Sequence, residues 1–313
     1  MNDLCSGASR ERAEPLIATA SRVERWLLVE HRGAWGPEAV PSSRMSISVA
    51  RALAGIATAT RARLLLIRRP AGMARTEGRR VYAVDSRPGA EQISTCRIDV
   101  DAELTDLEPP YGIAGRAGWE ALDGPLYLVC THGRHDRCCA IRGRPVARTL
   151  ATRFPDRTWE CTHVGGDRFA ANVVVLPEGL YLGRVEAEQA VRVVEELAAG
   201  RLPAGQVRGR SSLSLPVQAA QQLAREASGR WDADDLAPVG QTGAGVDAWA
   251  VRLRGPGGPD LQVVVRYDRS AGGRELLTCD AARVKSIPLF RQVSLSEVCG
   301  AVSSRVPSPP PGC

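Results

Sequence analysis
The feature that most constrains this chain is a 38-residue stretch, Cys130 to Asp167, reading CTHGRHDRCCAIRGRPVARTLATRFPDRTWECTHVGGD. It holds four of the nine cysteines (Cys130, Cys138, Cys139 and Cys161) and three of the four histidines (His132, His135 and His163). Thiolate and imidazole select zinc, iron and iron–sulfur centres over hard cations. Two ligand-rich loops separated by a helix-length segment are what such a centre requires, so a metal or iron–sulfur site is the working expectation.

The rest of the composition fits that expectation. A chain of 313 residues with 44% hydrophobic and 24% charged residues is an ordinary globular protein, long enough for two or three domains. The net charge of +6 comes almost wholly from arginine, Lys285 being the only lysine, and the basic residues are scattered rather than striped. That pattern predicts no nucleic-acid partner. The polar start, MNDLCSGASRERAEPL, has no apolar signal region, and no run is long enough to span a bilayer, so a cytoplasmic protein with no membrane partner is expected. In the cytosol thiols stay reduced, and an odd number of cysteines argues for metal or redox chemistry before a disulfide framework.

Periodicity and turn signals divide the chain. Residues 1–19 read as a flexible lead, and the proline-rich end, residues 303–313, reads as a flexible tail. Residues 20–110 read as an N-terminal α/β domain: strands at Trp26–Glu30, Arg63–Ile67, Val81–Val84 and Cys96–Val100, and a helix at Ser46–Thr58. Residues 120–202 begin with the strand Leu126–Val129 and the cysteine loop. A helix over Ala140–Arg153 follows, with Pro145 near its start. The strand Thr158–Thr162, a hairpin turning at Pro177–Gly179 and the amphipathic helix Glu186–Ala199 complete the unit. The order strand, helix, strand, strand, strand, helix matches a thioredoxin-like layout. After a linker from Gly200 to Ser212, residues 212–302 read as a small α+β domain, with a helix at Pro216–Ser228 and strands at Ala248–Arg254, Leu261–Tyr267 and Glu275–Cys279. The first two units could be a diverged duplication.

Cys130 ends a strand, Cys139 opens the following helix and His163 ends the next strand. Such ends converge on one edge of an α/β unit, so residues distant in sequence can meet there. Gly165 and Gly166 let the backbone pass close, and Asp167 lies four positions beyond His163. Spacing alone favours structural zinc, which takes the same atoms, since C-x8-C is neither a zinc-knuckle nor a plant-ferredoxin spacing. A thiol oxidoreductase using Cys138 or Cys139 is a further alternative, weakened by the lack of a C-x-x-C pair. Cys138 reads as a spare thiol, Cys161 as a core cysteine, and His132 and His135 as supporting or solvent-facing. His31 reads as a surface histidine in the WLLVEHRGAWG loop. Arg134, Arg137, Arg142, Arg144 and Arg168 cluster around the stretch as charge compensation, a docking face or a solvated surface. Cys5, Cys96, Cys279, Cys299 and Cys313 show no ligand spacing.

The segments CTHGRHDRCCAIRGRPVA and WECTHVGGDRFAANVVVLPEGLYLGR, together with EPLIATA and WLLVEHRGAWG, resemble the sucrase/ferredoxin-like family of thioredoxin-like ferredoxins over roughly residues 14–200. The resemblance implies a [2Fe–2S] cluster held by two cysteines of a C-x8-C segment and two histidines of an H-x3-H segment. Cys130 and Cys139 match the first pair and His163 the first histidine, while Asp167 stands where the second histidine would be. The expected ligand set is therefore Cys130, Cys139, His163 and Asp167, with Cys138, Cys161 or His132 as substitutes for the fourth. The expected activity is one-electron transfer or redox sensing with a redox partner protein, an electron carrier more than a catalyst. The family label also implies glycosidase activity, but no pair of carboxylates stands in the context of a general acid and nucleophile.

Overall fold
The computed structural model describes residues 4–71, 77–112, 116–255 and 259–298. It is a mixed α/β structure dominated by a ten-stranded sheet. In the first half, β1 (Arg25–Glu30) runs parallel to β2 (Ala62–Arg68) through helix α2 (Ile47–Thr60), and β3 (Arg79–Asp85) and β4 (Gln92–Ile98) follow as antiparallel neighbours. In the second half, β6 (Leu126–Cys130) runs parallel to β7 (Thr158–Cys161) through α3 (Arg137–Arg153), and β8 (Val173–Leu176) and β9 (Leu180–Leu182) follow as antiparallel neighbours. The helix α4 (Ala190–Ala198) then packs beside α3. With β5 (Glu120–Ala121) and β10 (Val207–Arg210) on the outside, the strand order is β10-β9-β8-β6-β7-β2-β1-β3-β4-β5. The second five strands repeat the first five in reverse. The halves meet where β2 pairs antiparallel with β7, Ile67 opposite Cys161 and Arg68 opposite Glu160. The two halves thus share one strand order on either side of the β2–β7 seam.

This sheet cannot be flat. Neighbouring strands are about 4.8 Å apart, yet Trp26 on β1 and Tyr181 on β9, five positions apart in the order, have ring centroids separated by 6.1 Å. Tyr82 and Trp159 likewise meet at 5.7 Å across three positions. The sheet curls, and the ion pair of Arg210, on the β10 edge, with Glu91, just before β4, nearly joins its margins. Alternation of side chains then sorts the core. Trp26, Leu28, Leu126, Leu128, Cys130 and Cys161 face the inside of the curl, whereas Leu27 and Val29 pack under α2, and Tyr127 and Val129 under α3 and α4.

Helix starts follow their caps: Ser46 accepts the Val49 N–H and Asp136 accepts the Cys138 N–H. The Asp136 cap makes α3 begin at Arg137, earlier than the Ala140 expected, so Pro145 lies inside the helix. Residues 5–11, expected within a flexible lead, form α1 (Cys5–Glu11), with Cys5, Ser6 and Ser9 buried. The expected linker carries β10.

The C-terminal region has α5 (Leu215–Ser228) packed on a four-stranded antiparallel sheet of β11 (Ala237–Gly243), β12 (Ala248–Arg254), β13 (Asp260–Asp268) and β16 (Leu289–Val298). The third strand expected here, Glu275–Cys279, is instead the two-residue β14 (Arg274–Glu275), paired with β15 (Lys285–Ser286). Residues 303–313, expected as a tail, and Cys299 and Cys313 lie outside the described residues.

Candidate metal centre
Three of the expected ligand atoms meet inside the curl. The sulfurs of Cys130 and Cys139 and a ring nitrogen of His163 all lie within 4.8 Å of one another. Cys130 is the last residue of a wholly buried strand. Helix α3 reaches it because residue 143 is glycine: a Cβ there would stand 2.1 Å from the Cys130 carbonyl oxygen. His163 follows β7, and Gly165 and Gly166, with φ of 100° and 79°, turn the chain back so that Asp167 faces the same point.

Asp167 stands beside this group and shares a second one with His135 and His163. Its Oδ1 accepts the Cys139 thiol at 3.0 Å and lies 2.9 Å from His163 Nδ1. That second contact is an ion pair out of line for a hydrogen bond, and buried Nδ1 has no hydrogen-bond partner. Burial opposes charge on Asp167, but His163 outweighs it and holds the carboxyl below its usual range. Burial alone would also lower the His163 pKa, yet Asp167 and Cys130 beside it push it up to about 9. Cys130 is held well below the usual thiol range by the hydrogen bond from Cys139, against its burial, with His163 adding to the effect. The same hydrogen bond raises the Cys139 thiol, and burial adds to it. A thiolate, a thiol that still carries its proton and a carboxylate thus surround an imidazolium, His163.

The proposed substitutes for the fourth position are engaged elsewhere. His132 is buried, its Nε2 donating to the Gly36 carbonyl at 2.7 Å and its Nδ1 accepting the His163 N–H at 3.3 Å, so both ring nitrogens are used. Cys161 is buried in the inner core, where burial raises its pKa. Cys138 points away, toward Cys5 and Cys279. His135 is exposed and stacks on His163 with centroids 3.8 Å apart. His31, expected on the surface, is buried at 8% exposure, and its pKa is lowered by that burial.

Two arginines escaped the sequence reading. Arg208 on β10 is fully buried and donates to the Gly165 carbonyl at 2.9 Å and to Asn172 at 2.8 Å, fixing the glycine turn that presents Asp167. Burial lowers its pKa to about 10, so it stays cationic at neutral pH behind the thiolate. Arg63, on β2 of the first half, donates to the His163 carbonyl at 2.8 Å. Nothing in the sequence distinguishes these from the other arginines; the signal lay only in glycines that leave room for a guanidinium, as at Gly166. Of the arginines near the stretch, Arg168 pairs with buried Glu14 at 2.6 Å. Arg134, Arg137 and Arg144 line a cleft of about 430 Å³ with Trp35, Arg68 and His132.

The model of the family described as sucrase/ferredoxin-like matches residues 16–209. This chain belongs to the sucrase/ferredoxin-like family. The match covers both halves of the curled sheet and stops at β10, before α5 and the C-terminal sheet. No curated protein matches the chain. One solved structure is similar over a short part: a variant of the thioredoxin-like [2Fe–2S] ferredoxin from Aquifex aeolicus, 21% identical over 27% of this chain and 97% of that one, with a TM-score of 0.24. Among the described residues no helix is long and apolar enough to cross a membrane.

Proposed function
We propose that this member of the family holds a [2Fe–2S] cluster on Cys130, Cys139, His163 and Asp167 and exchanges single electrons with a partner protein. The observation that carries the reading is the convergence of two sulfurs and an imidazole from three separate segments within 4.8 Å, with a buried His163 nitrogen lacking a hydrogen bond. Two soft sulfurs, one imidazole and one carboxylate fit an iron–sulfur centre of mixed ligation. When bound, the cluster supplies a one-electron couple.

The chain's own residues shape that couple. Two thiolates, one carboxylate and a neutral imidazole around a core of about +2 leave about −1, against about −2 for four thiolates. The potential is therefore expected above the roughly −400 mV of plant-type ferredoxins and toward the Rieske range. Arg208, buried near Cys130 and Asp167, favours the electron-rich state because its positive charge offsets the added electron. His135, exposed and stacked on His163, gives electrons a short path to the surface. The exposed Arg134, Arg137 and Arg144 form a basic rim suited to an acidic redox partner.

The compactness of the three ligand atoms also suits one zinc ion, and this is the second reading. Anaerobically purified protein separates the two. A brown sample with iron and acid-labile sulfide supports the first; a colourless one with zinc in the Cys130 site and no sulfide sinks it. In the brown protein Asp167→His is expected to keep the cluster at a higher potential and Asp167→Ala to lose it. If neither changes colour or potential, Asp167 is no ligand.

A further inference from the structure
Cys138 and Cys139 are neighbours, but successive residues of an α-helix point about 100° apart. While Cys139 turns toward Cys130, the Cys138 sulfur lies 3.5 Å from that of Cys5 and 3.3 Å from that of Cys279, and these two are 3.7 Å from each other. The three sulfurs come from α1, the first turn of α3 and the segment between β14 and β15, a triangle closed across 274 residues of sequence. The Asp136 carboxylate stands at the same point. Its oxygens are 3.8 and 4.0 Å from the Cys5 sulfur, and they accept the backbone N–H groups of Cys138 at 2.8 Å and Cys279 at 2.7 Å.

The distances discriminate between chemistries. A disulfide needs sulfurs about 2.05 Å apart, and none of the three pairs approaches that. Sulfurs on one tetrahedral zinc, each about 2.3 Å from the metal, are about 3.8 Å from one another. The observed edges of 3.3, 3.5 and 3.7 Å form such a triangle, slightly contracted. The four ligand atoms lie within 4.8 Å of one another. Three sulfurs exclude magnesium and calcium, which take oxygen.

We propose that Cys5, Cys138, Cys279 and Asp136 form a second metal site, a closed structural zinc site that ties α1 and the segment between β14 and β15 to the start of α3. On binding, the three thiol protons leave to solvent, zinc–sulfur bonds form and no electron moves. Three thiolates and a carboxylate on Zn²⁺ carry a net charge of −2. The Ser6 N–H, donating to the Cys138 sulfur at 3.4 Å, and the amino end of α3 oppose that charge. Four protein ligands leave no open position, which marks a structural rather than a catalytic site. The site shares no ligand with the Cys130 centre and stands whether or not that centre holds iron.

The test uses the full chain carrying Cys130→Ser, so that metal at the first centre does not confuse the count. Grown with zinc, it is expected to retain one zinc per chain, and Cys5→Ser or Cys279→Ser added to it should weaken zinc binding by at least about tenfold. Should a variant fold poorly, the parent answers alone: stripped of zinc and titrated with Co²⁺, it should show thiolate-to-cobalt charge-transfer bands that zinc abolishes. Three results would overturn the site: no zinc and no such bands, zinc unchanged in a folded Cys279→Ser protein, or a native chain two hydrogens lighter with Cys5 joined to Cys138 or Cys279.

Discussion

The two halves of the curled sheet share one topology and differ in what stands at the strand ends. In each, the residue after the first strand donates its N–H to the second strand: His31 to the Ile67 carbonyl at 2.8 Å, Thr131 to the Cys161 carbonyl at 3.2 Å. By that register Glu30 is the counterpart of Cys130, and Ile67 of Cys161. In the second half the end of the first strand is a sulfur facing Cys139. In the first it is a buried carboxylate that accepts Arg32 at 2.9 Å and the Arg80 N–H at 2.9 Å. At the helix start, Asp136 is followed by Arg137, Cys138 and Cys139, whereas Ser46 is followed by Ile47, Ser48 and Val49. One scaffold therefore carries a corner of sulfur and imidazole or an ion-paired one, depending on a few residues. The first half also reaches the second, through Arg63 on the His163 carbonyl and Gly36 on His132.

Paired substitutions test that contrast, and the largest effect is expected at the helix starts. Cys139→Ser should reduce metal at the first centre to background, read by metal analysis and visible absorption. In the other half Ser46→Ala removes the α2 cap and should cost about 1 kcal/mol in urea denaturation with metal content unchanged. Metal loss in Ser46→Ala would show that the halves are not separable. Next in size is Glu30→Gln, which weakens charge-assisted hydrogen bonds to a buried carboxylate and is expected to cost about 1.5–3 kcal/mol, again without metal loss.

The smallest effect concerns acid. Burial opposes ionisation of Asp85 on β3, but hydrogen bonds from Arg87 prevail and hold it below the usual carboxylate range. A depressed folded value means stability that is present above the unfolded carboxyl pKa of about 3.9 and is lost as pH falls through the folded value. Because Arg87 is partly exposed, the contribution is about 1 kcal/mol. Melting temperatures of Asp85→Asn and the parent should converge as pH drops below about 4. A gap that stays constant from pH 7 to pH 3 would remove the ion pair as its cause.

How far the sequence alone reached follows from the range of the interactions. That Cys130, Cys139 and His163 come together was legible because strand and helix ends next to ligand-type residues are local signals, and local patterning also yielded β1, β6, β12 and α5 close to their observed limits. Helix α1 was not legible, because its buried face is Cys5, Ser6 and Ser9, with no apolar periodicity. Strand β11, APVGQTG, hides behind glycine and proline, and its side chains are largely exposed. The Cys5–Cys138–Cys279 triangle has no spacing to read, since only the tertiary fold brings its corners together. Arg208 belongs to the same class: a lone arginine becomes significant once a strand edge encloses it.

The His132 ring joins the two halves at the place where they differ. With Nε2 given to Gly36 and Nδ1 holding the His163 amide, it works only as the neutral tautomer, and burial lowers its pKa in favour of that form. A mildly acidic milieu would thus leave the spacer between the WLLVEHRGAWG loop and the His163 imidazole in place, and the corner would keep its shape.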